Sequence, residues 1–213
     1  MTETQTKWIS FGELLLVGVI ISIGFPVSVV LPLLVAASAS LWLRKSSWID
    51  VGLDIDDDTL KVAGIGLVLG AAAQFLTLLI VKPELENLAG RAVELNHLPP
   101  LRGNAGILVN SILLTWATVL AAEMVFRGFL IHRVAELVKD KVVAHGVGVV
   151  ISAGLFAWVV GGGRLEGIVG GFIAGLGYGY LYLACGRRLV LPIAFHGAFE
   201  TVNLIFIYMK VVD

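Results

Sequence analysis

The chain has 213 residues, 58% of them hydrophobic and 15% charged, with a formal net charge of −1 and a mean hydropathy of +0.93. Soluble domains carry about 25% charged residues, so this composition excludes an ordinary soluble globule. It predicts an all-α, polytopic transmembrane bundle of about seven segments, forming a single membrane domain over residues 1–213. The near-neutral charge and the lack of a Lys/Arg stripe argue against a nucleic-acid partner.

In chain order, Met1 to Ser10 is short and polar. The apolar stretch after it is too long for a signal-peptide core and is read as retained. Leu14 to Leu43 holds no charge, but Pro26 and Pro32 interrupt it. Thirty helical residues would span about 45 Å against roughly 30 Å of hydrocarbon, so two short helices meeting near Gly24-Phe25-Pro26 are expected. Arg44 to Lys61 is polar. Its acidic cluster (Asp54, Asp56, Asp57, Asp58) lacks the glycine and glutamate of a calcium loop, and Asp58 or Thr59 is expected to cap a helix over about Val62–Val81.

Lys82 to Arg102 mixes charges with Pro99-Pro100 and predicts a surface helix and a turn, with His97 as a solvated loop histidine. The central apolar run follows. The chain then leaves the membrane through His132, Arg133, Glu136 and Lys139. Val142–Gly163 is the next span, with His145 as an interfacial hydrogen-bonding residue and Gly161-Gly162-Gly163 as a turn. Gly167–Cys185 has glycine at 167, 171, 175 and 179, a ridge for close helix approach that suits an intramolecular contact or a homodimer. Tyr178, Tyr180 and Tyr182 are expected as interfacial anchors. Cys185, the lone cysteine, can form no internal disulfide and is expected as a small buried residue. The last span is Leu189–Met209. With seven spans, nine Lys/Arg fall on the N-terminal side and five on the other, Arg127 aside. That places the N terminus in the cytoplasm; reading Leu14–Leu43 as one span makes the count nearly even.

Two polar stripes stand inside apolar sequence. Glu123 and Arg127 are four residues apart, on one helical face. His196, Glu200 and Asn203 repeat that pattern in the last span. A charge at such depth costs roughly 2.5–3.5 kcal/mol on insertion scales, so the stripes are expected to face each other across the interior. A structural ion pair and a reaction site are the two explanations.

The run Glu123-Met124-Val125-Phe126-Arg127-Gly128-Phe129-Leu130 resembles the first motif, E-E-x-x-x-R, of the CPBP family. This family comprises CAAX-prenyl endopeptidases and their bacterial relatives in bacteriocin processing and self-immunity. Phe156 stands at the start of a second motif, F-x-x-x-H, and His196–Glu200 matches a third, H-x-x-x-N/D. The family-like core covers about residues 105–209. The chain departs from the pattern at Ala122, where the family has its first glutamate, at Val160, where it has histidine, and at Glu200, where it has Asn or Asp.

The resemblance implies intramembrane hydrolysis of a membrane-anchored or prenylated peptide. Glu123 and Glu200 would share base and acid work, His196 would stabilise the oxyanion, and Arg127 would hold the carboxylates. Membrane lipid and a hydrophobic or lipidated peptide are the implied partners, and the plasma membrane of a prokaryote the implied location. The resemblance implies either a metal-dependent or a metal-free site. Glu123, His196 and Glu200 form a candidate set for a divalent metal such as zinc, without the H-E-x-x-H spacing that would support it. The alternative is a non-catalytic relative that binds such peptides in an immunity or regulatory role. A proton-coupled transporter would need an inverted repeat, which the sequence does not show.

Overall fold

A computed structural model describes residues 2–24, 28–89, 101 and 103–209. The described residues are helical, with no strand. Among the described residues nine α-helices follow in order: α1 Glu3–Ile23, α2 Val30–Leu43, α3 Thr59–Leu76, α4 Lys82–Ala89, α5 Ala105–Glu123, α6 Ile131–Leu137, α7 Lys141–Val160, α8 Leu165–Ala184 and α9 Val190–Tyr208. Two π-helical stretches interrupt them, Thr77–Val81 between α3 and α4 and Met124–Leu130 between α5 and α6. Among the described residues six continuous helical runs are long and apolar enough to cross a membrane; α2 is shorter. Its 14 residues reach about 21 Å, less than a hydrocarbon core of roughly 30 Å. The protein is a multi-pass integral membrane protein.

The chain divides into two compact units, 1–56 with 120–192 and 57–119 with 193–213. In the first, the N-terminal segment read as polar is already helix. The N–H of Gln5 donates to Thr2 Oγ1 while Gln5 Oε1 accepts from the N–H of Thr2, a capping box that starts α1 at Glu3. The break between α1 and α2 begins at Gly24, whose φ of +67° suits glycine; Pro26 lies outside the described residues.

A charged cluster then ties α1, α2 and α6 together. Arg44 donates to both carboxylate oxygens of Glu13 and to Glu136 Oε2 at 2.9–3.0 Å. Arg133 lies 3.0 Å from Glu13 and 3.2 Å from Glu136, over the ring of Phe129. Ser10 and Ser40 donate to Glu136 and Glu13. Arg133 is therefore buried and not, as its sequence context implies, on its way into solvent. Two acids and a cation–π ring compensate it.

The glycine ridge of α8 is taken up within the chain by α7. A Cβ on Gly175 would fall 2.9 Å from Ala153 Cα, and one on Gly179 would fall 2.6 Å from Val149 Cγ1. Of the three tyrosines read as anchors only Tyr180 is exposed; Tyr178 and Tyr182 are buried. Positions 178 and 182 share a face, and 180 lies on the other. The Tyr182 hydroxyl donates to the carbonyl of Val51, and the N–H of Leu189 donates to the carbonyl of Gly52. These bonds dock the first polar segment on the α8–α9 turn. Arg188 pairs with Asp56 at 2.6 Å, and His145 Nε2 lies 3.2 Å from Arg187 Nη1. Cys185 is half-buried, less enclosed than expected.

In the second unit, Asp58 holds the N-cap position of α3 but makes no capping hydrogen bond. The helix starts three residues earlier than its apolar pattern and continues through the π stretch into α4; most of the rest of the expected surface segment lies outside the described residues. His97 and Pro99-Pro100 lie outside the described residues. α3 and α9 meet at a glycine: a Cβ on Gly70 would lie 2.1 Å from the carbonyl oxygen of Phe195.

The α7–α8 contact makes a graded prediction. Overpacking a close contact costs about 1–3 kcal/mol, so Gly175→Leu should lower the thermal unfolding midpoint in detergent. Gly177→Leu, where a Cβ meets nothing within 4 Å, should leave it unchanged.

Candidate active site

Glu123 ends α5 and Arg127 stands inside the following π stretch, all seven residues of which are buried. Glu123 is 0% and Arg127 1% exposed. Arg127 Nη1 lies 3.3 Å from Glu123 Oε1, near enough for an ion pair though not aligned as a hydrogen bond. Its guanidinium carbon sits 4.4 Å from the centre of the Phe156 ring and 4.9 Å from that of Tyr178. These aromatic faces supply part of what water would otherwise supply, on the order of 2 kcal/mol for a desolvated cation. Nη1 and Nη2 have no hydrogen-bond partner among the described residues.

The supporting contacts explain this geometry. Phe156 packs edge-on against Phe126 at 5.4 Å and against Tyr178 at 6.1 Å, forming a three-ring wall around the guanidinium. The Ser152 hydroxyl donates to the carbonyl of Phe126, holding the π stretch to α7. Gly128 lets the stretch lie on the turn at Val51, whose carbonyl oxygen a Cβ would meet at 3.1 Å. π-helical insertions recur at functional sites, and this one carries the motif arginine. Sequence reasoning missed Tyr178 and Ser152. The tyrosine spacing of two hid the i, i+4 pair 178 and 182; nothing in the local pattern marks Ser152.

The substituted positions differ from each other. Ala122 is buried, and its methyl group can accept no proton. Val160 stands one turn beyond Phe156, 51% exposed, with Cγ2 placed so that a Cβ on Gly171 would meet it at 2.7 Å. The position that holds histidine in the motif is thus an apolar contact to α8.

His196, Glu200 and Asn203 all lie on α9, in the second unit. His196 and Asn203 are buried and Glu200 half-buried. Two close contacts flank His196. Gly70 abuts Phe195 on one side, and the indole of Trp116 covers Gly197 on the other, within 2.5 Å of where a Cβ would stand. The Trp116 Nε1–H donates to Thr201 Oγ1 at 3.1 Å, and the Thr201 hydroxyl donates to the carbonyl of Gly197. These contacts fix the rotation of α9 around the histidine. The structure thus brings Glu123 together with Arg127 in one unit and holds His196, Glu200 and Asn203 on one helix of the other. The metal set Glu123, His196 and Glu200 draws on both units. Among the described residues no group of three or more His, Cys, Asp or Glu side chains converges to hold a metal ion.

Residues 104–202 match the family model of the type II CAAX prenyl endopeptidases, Rce1-like. That match is consistent with the CPBP family. The matched range spans Glu123, Arg127, Phe156, Val160, His196 and Glu200. No curated protein and no solved structure matches the chain.

Buried ion pairs have a characteristic mutational signature. Removing one partner strands a charge and costs about 3–5 kcal/mol, whereas replacing both by apolar or neutral groups costs far less. Glu123→Gln and Arg127→Met should each destabilise the protein strongly in equilibrium unfolding in detergent. The double variant should recover most of the loss.

Proposed function

We propose that the protein is an intramembrane endopeptidase of the CAAX-prenyl type, hydrolysing a membrane-anchored or prenylated peptide or protein in the plasma membrane of a prokaryote. The observation that carries this reading is the Glu123–Arg127 pair, wholly buried in an apolar helix within the family match. A structural pair of equal strength could be replaced by packed hydrocarbon, and one whose guanidinium keeps unbonded N–H groups suits a reacting carboxylate better than a fastening.

In this reading a carboxylate, Glu123 or Glu200, takes a proton from water as its oxygen adds to the peptide carbonyl, and returns that proton to the leaving amine. His196, held between the Gly70 and Trp116 contacts, donates to the developing oxyanion. Arg127 holds Glu123 in place. No step requires a metal. The partners are membrane lipid along the exposed apolar helix faces and the lipidated peptide itself. The α8 glycines are engaged by α7, so the proposal includes no dimer through that ridge.

A second reading follows from Ala122 and Val160. General-base loss alone costs roughly 10²–10⁴-fold in rate, and a chain with both motif positions apolar suits a non-catalytic relative that binds hydrophobic or lipidated peptides as an immunity or regulatory factor. Cleavage of a farnesylated peptide by the purified protein in liposomes separates the two. The endopeptidase reading predicts turnover that falls at least 10²-fold in Glu123→Ala and in Glu200→Ala. Turnover only after Ala122→Glu with Val160→His would favour the second reading for the chain as it stands.

A further inference from the structure

We propose that Gln74 is a substrate-binding residue, its side-chain oxygen accepting a hydrogen bond from a main-chain N–H of the peptide held along the His196–Asn203 stretch of α9. The proposal rests on the peptide-handling reading above and adds a contact that lies outside the three motifs and outside the family match.

Gln74 lies in α3, a helix long and apolar enough to cross the membrane, where a polar side chain is expensive to place. It is 2% exposed, and its Oε1 has no hydrogen-bond partner among the described residues. Buried polar atoms are nearly always paired, and those that are not point to a role outside folding.

Its position gives that role a place. Gly66, Gly70 and Gln74, at steps of four, form the buried face of α3. Gly70 abuts the carbonyl of Phe195, and Phe75 meets Phe206 edge-on at 5.2 Å. The two contacts advance in the same direction along both helices. Gln74 is therefore on the stretch of α3 that runs beside the part of α9 carrying His196, Glu200 and Asn203.

The backbone adds an independent sign. Three residues beyond Gln74 the helix loosens into the π stretch Thr77–Val81, just as α5 loosens into Met124–Leu130 directly after Glu123. π stretches in membrane-length helices are rare and cluster at functional sites. Each of these two follows a buried polar residue. What the Gln74 oxygen lacks is a donor. A prenyl group, an acyl chain or an aliphatic side chain supplies none, whereas every non-proline residue of a bound peptide carries one N–H.

The test uses the full chain in lipid nanodiscs and a fluorescent farnesylated heptapeptide, with a set of the same peptide N-methylated at one main-chain position at a time. On the wild type, one N-methyl position should weaken binding about five- to tenfold, as expected for one lost hydrogen bond. Gln74→Met should lose the same factor toward the parent peptide, lose nothing further on that N-methylation, and unfold at an unchanged or higher temperature. Equal affinity of Gln74→Met and wild type overturns the proposal alone. So does a wild type indifferent to N-methylation at every position, a result that stands even if the variant fails to fold. A wild type that binds no farnesylated peptide overturns the peptide-handling reading, and this proposal with it.

Discussion

A carboxylate and a guanidinium, both out of water, set the terms for the first unit. Hydrocarbon offers neither charge a hydration shell, so each must find its compensation in the chain. Glu123 and Arg127 compensate each other at 3.3 Å, and the faces of Phe156 and Tyr178 stand around the cation. That arrangement constrains two helices and a connecting segment. α7 must bring Phe156 and Ser152 to the π stretch, α8 must turn Tyr178 inward, and the first polar segment must lie against Gly128. The glycines of α8 meet the second requirement by letting α7 and α8 approach to backbone contact.

The second unit holds its polar stripe by close helix contacts. Here the polar stripe is on α9, and small residues at Gly70 and Gly197 admit the neighbouring backbone and the Trp116 ring on either side of His196. These close contacts fix the rotation of α9 around the side chain. Both units place a buried polar residue just ahead of a π stretch, Glu123 in one and Gln74 in the other. A widened turn shifts the register of the helix downstream without ending it, so side chains before and after it can serve different faces.

Much of this was legible in the residues. Apolar runs of spanning length, the charge-free break near Gly24, the Gly161–Gly163 turn and the i, i+4 stripes follow from hydropathy and helical geometry alone. The Glu123–Arg127 contact in particular was stated by its spacing. What escaped was everything that depends on a partner distant in sequence. Arg133 reads as an exit to solvent until Glu13 and Glu136 are seen to meet it. The tyrosines read as an interfacial belt because a step of two was weighed as a cluster, although 178 and 182 alone share a face. The π stretches have no compositional sign, since Met124–Leu130 differs from an ordinary apolar helix only in how its turns are closed. The start of α1 was the exception: its capping box is local, and Thr2 with Gln5 was there to be read.

The account makes the ion pair the organising contact of the candidate active site, in the membrane and without ligand. It is tested most directly by a rotational-echo distance measurement in lipid bilayers, with glutamate labelled at the carboxyl carbon and arginine at the guanidinium nitrogens. Subtracting the Arg127→Lys sample removes the Arg44 and Arg133 pairs from the signal. The account predicts a strongly dephased component in the difference, as a nitrogen–oxygen separation of 3.3 Å requires. A difference with no short-range component would mean that Glu123 and Arg127 are apart in the bilayer, and would contradict it.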